Sequence, residues 1–361
     1  MIFPRHCFQA AFRLLSIVLC AVAVASCETA RFYGQAVEGQ REINRLARPL
    51  AKVEADPATT AELRRKLGLV REVRAFAVDH LGLSPTGQYT RYSDLKREHA
   101  VWVVFAAEEF STEPHRWWYP MIGHVGYRGF FREAPALELA ATLEKKGLET
   151  YVGGVDAFST LGWFDDPVLN TFVRRRDCDL AEIIIHELTH QRLYISADTD
   201  FNEALATAFA EHGVNRWLAA TARHAEQRRY RADTAAQRAF FDLALRTRER
   251  LRGIYDASKK LPLAERRALK AAEIARFRQE AMALQQRWPQ LRGLRRWFEE
   301  PVTNARLNTI AAYYELVPAF ERLLEKNGGD ADAFFREVKA ISRLPKQARR
   351  AALMPPEAAE H

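Results

Sequence analysis

A chain of 361 residues, 48% hydrophobic and 28% charged, has the composition of a globular body of one large domain or two small ones. Its formal net charge of +8 is regional: positions 221–300 hold twenty Lys and Arg against ten Asp and Glu, which reads as a solvated helical face, with anionic lipid or cell-wall polymer as the alternative partner. No nucleic-acid motif accompanies the excess, so nucleic acid is set aside as a partner, and no stretch after residue 30 is apolar and long enough to cross a bilayer.

Residues 1–26 read as a secretory signal: Arg5 and Arg13 at a basic start, an apolar run over 14–24, then small residues. Val24-Ala25-Ser26-Cys27 resembles the bacterial lipobox, in which the cysteine is acylated and becomes the mature N-terminus. Glu28 in place of an inner-membrane Asp then favours an outer-membrane lipid anchor through Cys27. An ordinary signal peptide or an uncleaved anchor is the alternative. Cys7 and Cys20 leave with the signal, so only Cys178 stays unmodified; no disulfide framework exists, and Cys178 reads as a buried structural thiol.

The mature chain, 27–361, is expected to be one domain. A helical pattern leads from the polar stretch 34–40 to about residue 55, where Asp56-Pro57 breaks it. A second helix starts near Thr59 or Thr60 and runs to His80, with Leu63, Leu67, Val70, Val73 and Phe76 at spacings of three or four. Residues 99–131 read as β structure from the aromatic and β-branched runs at 101–105, 117–119 and 127–131. A helix over 134–146 ends at Gly147, and an extended segment occupies 150–164. From 179 onward nearly everything is helical, with 218–298 forming a hairpin of two long helices joined near Ser258 to Pro262, an insertion in the domain. The fold class is therefore α+β: mostly helical, with a small sheet and a protruding helical hairpin.

The chemistry concentrates in His186-Glu187-Leu188-Thr189-His190. Asp179-Leu180-Ala181-Glu182 has the capping-box spacing, which predicts a helix start just ahead of the Ile183–Ile184–Ile185 run. On that helix His186 and His190 share a face one turn apart and can grip one Zn²⁺, with Glu187 beside them as the base for water. Leu193 and Ser196 stand where metzincins carry Gly and a third His, which excludes that class. A third ligand is instead expected from Asn202-Glu203, where Glu203 follows His190 by 13 residues and completes a His₂Glu set. Glu211, two turns further on, is the rival ligand. Thr207 is a candidate to orient a zinc-bound imidazole.

The chain resembles the bacterial putative aminopeptidase family, thermolysin-like zincins of the HExxH-plus-Glu type. The resemblance rests on the motifs at 127–131, 157–167, 186–190, 201–203, 304–307 and 313–320, with Phe158 where the family usually carries Tyr. It implies a zincin-like fold, one Zn²⁺ per chain and a peptide substrate with aminopeptidase activity. Related zincins donate to the oxyanion with a Tyr or His from a later helix, which makes Tyr313 or Tyr314 the candidate here; packing beside Pro318 is the competing role for both. Residues 159–163 are a candidate edge for substrate strand addition. Asp156, Asp165, Asp166 and Glu182 are acids near the site in sequence, but none sits in an amine-binding motif, so exopeptidase and endopeptidase stay open. A lipoprotein with a structural zinc site, acting as a binding or assembly factor in the envelope, and a hydrolase of cell-wall cross-link peptides are the rival functions. Oligomeric state has no sequence signal.

Overall fold

The computed structural model describes residues 31–84, 87–119, 123–157 and 165–353. The signal segment with Cys27, Phe158 and the candidate edge 159–163 lie outside the described residues. Residues 31–46 are helical (α1), and the expected continuation to residue 55 is interrupted. Pro49 pushes the residue before it out of helical geometry, so Arg48–Pro49 forms a short strand, β1, before α2 resumes over Leu50–Ala55. Asp56 ends α2, its carboxylate accepting from the Ala58 N–H at 3.0 Å.

Helix α3, Ala61–Leu81, is capped by the Thr60 hydroxyl, which accepts from the Leu63 N–H. It closes at Gly82, whose φ of 61° is the left-handed cap that glycine tolerates best. Its expected stripe is its buried face: Leu67, Val70, Val73 and Phe76 enter the main core, while Leu63 packs at the margin. Strand β2, Arg91–Ser93, pairs antiparallel with β1 and parallel with β8, Val168–Leu169.

The principal sheet has three antiparallel strands in the order β6, β3, β7. Central β3, Val101–Glu108, is flanked by β6, Tyr127–Phe130, and β7, Leu148–Val155. Between β3 and β6, β4 (Trp117–Tyr119) pairs with β5 (Gly123–Val125). Trp118 points outward and is 65% exposed, while Trp117 lies against the apolar layer. β3 is apolar on both faces because both are covered. Val104 and Ala106 meet α4, Glu133–Glu144, through Ala136, Ala140 and Leu143. On the other face Phe105 and Ala107 meet Ala305 of a later helix. The outer edge of β6 is covered by α1: the Gln35 side chain accepts from the Phe131 N–H at 3.0 Å and donates to the Gly129 carbonyl at 3.4 Å.

After the short α5, Asn170–Val173, the chain enters two central helices, α6 (Asp177–Arg192) and α7 (Thr199–Ala220). With α3 they share the core through Leu180, Ile184, Ile185, Leu205, Phe209 and Trp217. Gly213 permits the close approach, since a Cβ there would stand 2.8 Å from Leu81 and 3.1 Å from Ile185. The expected long pair is present as α8, His224–Ala257, and α9, Leu263–Arg287, followed by α10, Leu294–Trp297, and α11, Asn304–Tyr314. These helices build a second core around Phe240, Leu251, Phe277 and Phe298 that continues into Leu307 and Ile310. Much of the regional positive charge is consumed at this junction. Arg238 pairs with Glu211 and Glu321, Arg267 with Glu109, Lys270 with Glu149, and buried Arg248 donates to Asn308 and the Thr112 carbonyl. Helices α12 (Val317–Lys326), α13 (Ala331–Ser342) and α14 (Lys346–Leu353) close the chain over α7. The architecture is thus mostly helical with small sheets, an α+β fold. Among the described residues no helix is long and apolar enough to cross a membrane.

Candidate metal centre

α6 begins at Asp177, two residues before the expected capping box, and that box does not form. Asp179 instead pairs with Arg176 at 2.8 Å, and Glu182 accepts from the Tyr230 hydroxyl at 3.0 Å. Asp177 takes the first helical turn, where the helix dipole favours an acid. It is gripped by Arg65 at 2.7 Å and by buried Lys66 at 2.6 Å, both from α3. Those partners, Arg65 first, hold its carboxyl down at about 2 against the partial burial that opposes them. The start of the HExxH helix is thereby bolted to α3.

One turn of α6 then brings the imidazoles together. The rings of His186 and His190 lie 4.8 Å apart and nearly perpendicular, with their Nε2 atoms 3.2 Å from each other. Glu203, from α7, places Oε2 3.3 Å from His186 Nε2 and 3.7 Å from His190 Nε2. Asn202 fixes the approach: its side chain accepts from the Ile195 N–H at 2.9 Å and donates to the Ile195 carbonyl at 2.8 Å, clamping the α6–α7 connection. These three residues form the one group of metal-competent side chains among the described residues.

Three lone-pair donors facing one point fit a cation. Tetrahedral ligands on bonds of about 2.0–2.1 Å stand about 3.4 Å apart, and the observed separations of 3.2, 3.3 and 3.7 Å bracket that value. Burial alone would raise the Glu203 carboxyl, but the charge of His190 and hydrogen bonds from both imidazoles hold it far below the usual carboxylate range. Glu211 is elsewhere. It pairs with Arg238, and burial pushes its carboxyl up to about 8. Thr207 is buried, yet His190 Nδ1 is itself buried without a hydrogen-bond partner, so the proposed orienting role for Thr207 does not hold for that ring.

The trio opens into a cavity of about 950 Å³ between α1, the principal sheet, α6 and α11. Glu187 lines it and is buried beside the trio. Tyr313 and Tyr314, equivalent candidates in sequence, part company because successive helix residues point about 100° apart. Tyr313 lines the cavity; burial first, then the Glu203, Tyr127 and Glu187 neighbours, push its hydroxyl well above the usual phenol range. Tyr314 turns away into the packing, its ring centroid 3.9 Å from that of Phe241, and does not line the cavity.

The cavity also contains tyrosines to which sequence reasoning assigned no role. Tyr194 follows His190 by four residues, a spacing that signals a shared face, and its ring meets that of His190 edge-on at 6.3 Å. Tyr127 comes from β6 and only the folded sheet brings it near Glu203. Of the four acids near the site in sequence, Asp156 and Glu182 reach the cavity and Asp165 and Asp166 do not line it. Cys178 is half-buried, and burial pushes its thiol up to about 11, which suits an inert structural thiol.

The model of the family described as putative aminopeptidase matches residues 31–353. The chain belongs to that family. The match runs from α1 to α14 and so spans the cavity wall and both central helices. No curated protein and no solved structure matches the chain.

Proposed function

We propose that this member of the putative aminopeptidase family is a zinc-dependent peptidase, with His186, His190 and Glu203 as ligands and Glu187 as the general base. The observation that carries the proposal is the convergence of the three donors at tetrahedral separations beside a buried glutamate in a large cavity. A Zn²⁺ ion bound there supplies Lewis-acid activation of water and of the scissile carbonyl. Glu187 accepts the proton of the attacking water and delivers it to the leaving amine. Tyr313 stays protonated because burial and the neighbouring carboxylates disfavour its phenolate, so its hydroxyl serves as a donor to the developing oxyanion. The apolar walls, Val101, Val103, Ile183 and Phe131 among them, exclude water and strengthen these interactions.

In the same proposal the lipobox cysteine, Cys27, carries the lipid and the enzyme works at the outer membrane, facing the periplasm, on peptide substrates. Metal content by mass spectrometry and hydrolysis of a peptide library, in wild type and Glu187→Gln, test the assignment. Zinc retained with turnover reduced by about 10²–10⁴ supports it. Zinc bound with hydrolysis unaffected by Glu187→Gln, or no hydrolysis by either protein, turns the site into a structural one in a binding or assembly factor.

A further inference from the structure

Four carboxylates line the cavity, and three have evident employment. Glu203 faces the two imidazoles, Glu187 is the base, and Asp156 is held by His99 at 2.7 Å and by Arg175. The fourth, Glu182, accepts one hydrogen bond, from the neutral Tyr230 hydroxyl at 3.0 Å, and has no salt bridge among the described residues. The guanidinium whose charge acts on it, Arg176, is directed to Asp179 and Asp233 instead. We propose that Glu182 is the receptor in this cavity for an ammonium group of the substrate, a role that rests on the peptidase assignment and gives it a substrate class.

The placement fits. Glu182 precedes His186 by one helical turn, which sets their Cβ atoms about 5–6 Å apart on one face of α6. An α-amino nitrogen lies two bonds from the carbonyl carbon of its own residue, and a hydrogen bond of about 2.8 Å spans the remainder. A Lys ammonium on a neighbouring substrate residue reaches the same carboxylate through its four-carbon stem. The surroundings make a cation welcome. Burial pushes the Glu182 carboxyl up, and Asp179 adds to the effect. A carboxylate so desolvated gains more from an arriving positive charge than one already in water. Tyr230, buried on α8, holds the acceptor in place from behind.

The test is calorimetric binding to zinc-loaded Glu187→Gln protein, in which turnover is suppressed. Two ligand pairs differ only in an ammonium: Leu-Leu-amide against its des-amino form, 4-methylpentanoyl-Leu-amide, and N-acetyl-Leu-Lys-amide against N-acetyl-Leu-norleucine-amide. In one pair the ammonium form binds about tenfold or more tighter, and that pair names the source, α-amine or side chain. Adding Glu182→Gln brings the pair to within about twofold. Glu182→Asp, which withdraws the carboxylate by one methylene, lowers the preference without removing it and covers the case in which the glutamine variant does not fold. Equal binding within both pairs overturns the proposal, as does a preference that survives Glu182→Gln or a loss that falls equally on charged and neutral ligands. Hydrolysis by the Glu187-containing chain is scored separately, so a failed peptidase assignment and a failed ammonium receptor give different results.

Discussion

Asp177→Asn probes the joint that positions the metal helix. In the folded chain the Asp177 carboxyl sits at about 2 rather than its ordinary 3.8, held there by Arg65 and Lys66. The lowering of about 1.8 units corresponds to about 2 kcal/mol of stability. The Asp177 side chain is 23% exposed, but Arg65, its leading partner, is 50% exposed, so solvent screening makes that figure an upper end. Because the folded state lowers the pKa, the contribution is complete above the unfolded value and is lost as pH falls from about 4 towards about 2. Urea denaturation at pH 7 is expected to show the variant less stable by about 2 kcal/mol, and thermal melting lower by about 3 °C. At pH 3 the gap shrinks to about half, since the wild-type carboxylate is by then being neutralised in the unfolded chain. Lys66, 4% exposed, would keep only the Arg175 carbonyl and Arg65 would keep only Glu62, which biases the measured cost upward. A gap below about 0.5 kcal/mol, or one unchanged between pH 7 and pH 3, would refute the account of this joint.

The ligand assignment is checked by zinc stoichiometry and chelator competition: Glu203→Gln weakens metal binding, whereas Glu211→Gln leaves it intact because Glu211 is committed to Arg238. Tyr313→Phe is expected to lower kcat about 10²–10³-fold with the zinc content unchanged, while Tyr314→Phe, which keeps the ring against Phe241, leaves kcat within a few-fold. Asn202→Ala strips the Ile195 N–H of its partner, leaves the Ile195 carbonyl only the longer bond from the Asp198 N–H at 3.4 Å, and costs about 1–3 kcal/mol in urea denaturation. The same substitution loosens the seat of Glu203, so metal affinity falls along with stability.

What the sequence disclosed was local. His186 and His190 are fixed by helical spacing, and Glu203 by its place in an Asn-Glu pair, so expecting these three side chains together needed no knowledge of the fold. The apolar stripe of α3 and its start at Thr59 or Thr60 were legible for the same reason. Misreadings arose where a distant partner outweighed a local preference. The capping box at Asp179 failed because Asp177 finds Lys66 and Arg65 on α3, which moves the helix start upstream. Tyr313 and Tyr314 could not be separated until α11 had a cavity on one side and Phe241 on the other. The contributions of α1 and Tyr127 to the cavity depend on tertiary packing alone, and no periodicity announces them.

The grip of Gln35 on β6 bears on self-association as well as on access. A bare sheet edge is a template for any extended chain, including another copy of the same protein. The side-chain amide of Gln35 offers the donor and acceptor of one peptide unit and meets the outward groups of Gly129 and Phe131 with them. This flank is therefore already paired with a surrogate strand one residue long, carried on a helix that cannot propagate the ladder. A strand adding to β6 at this point must first displace α1.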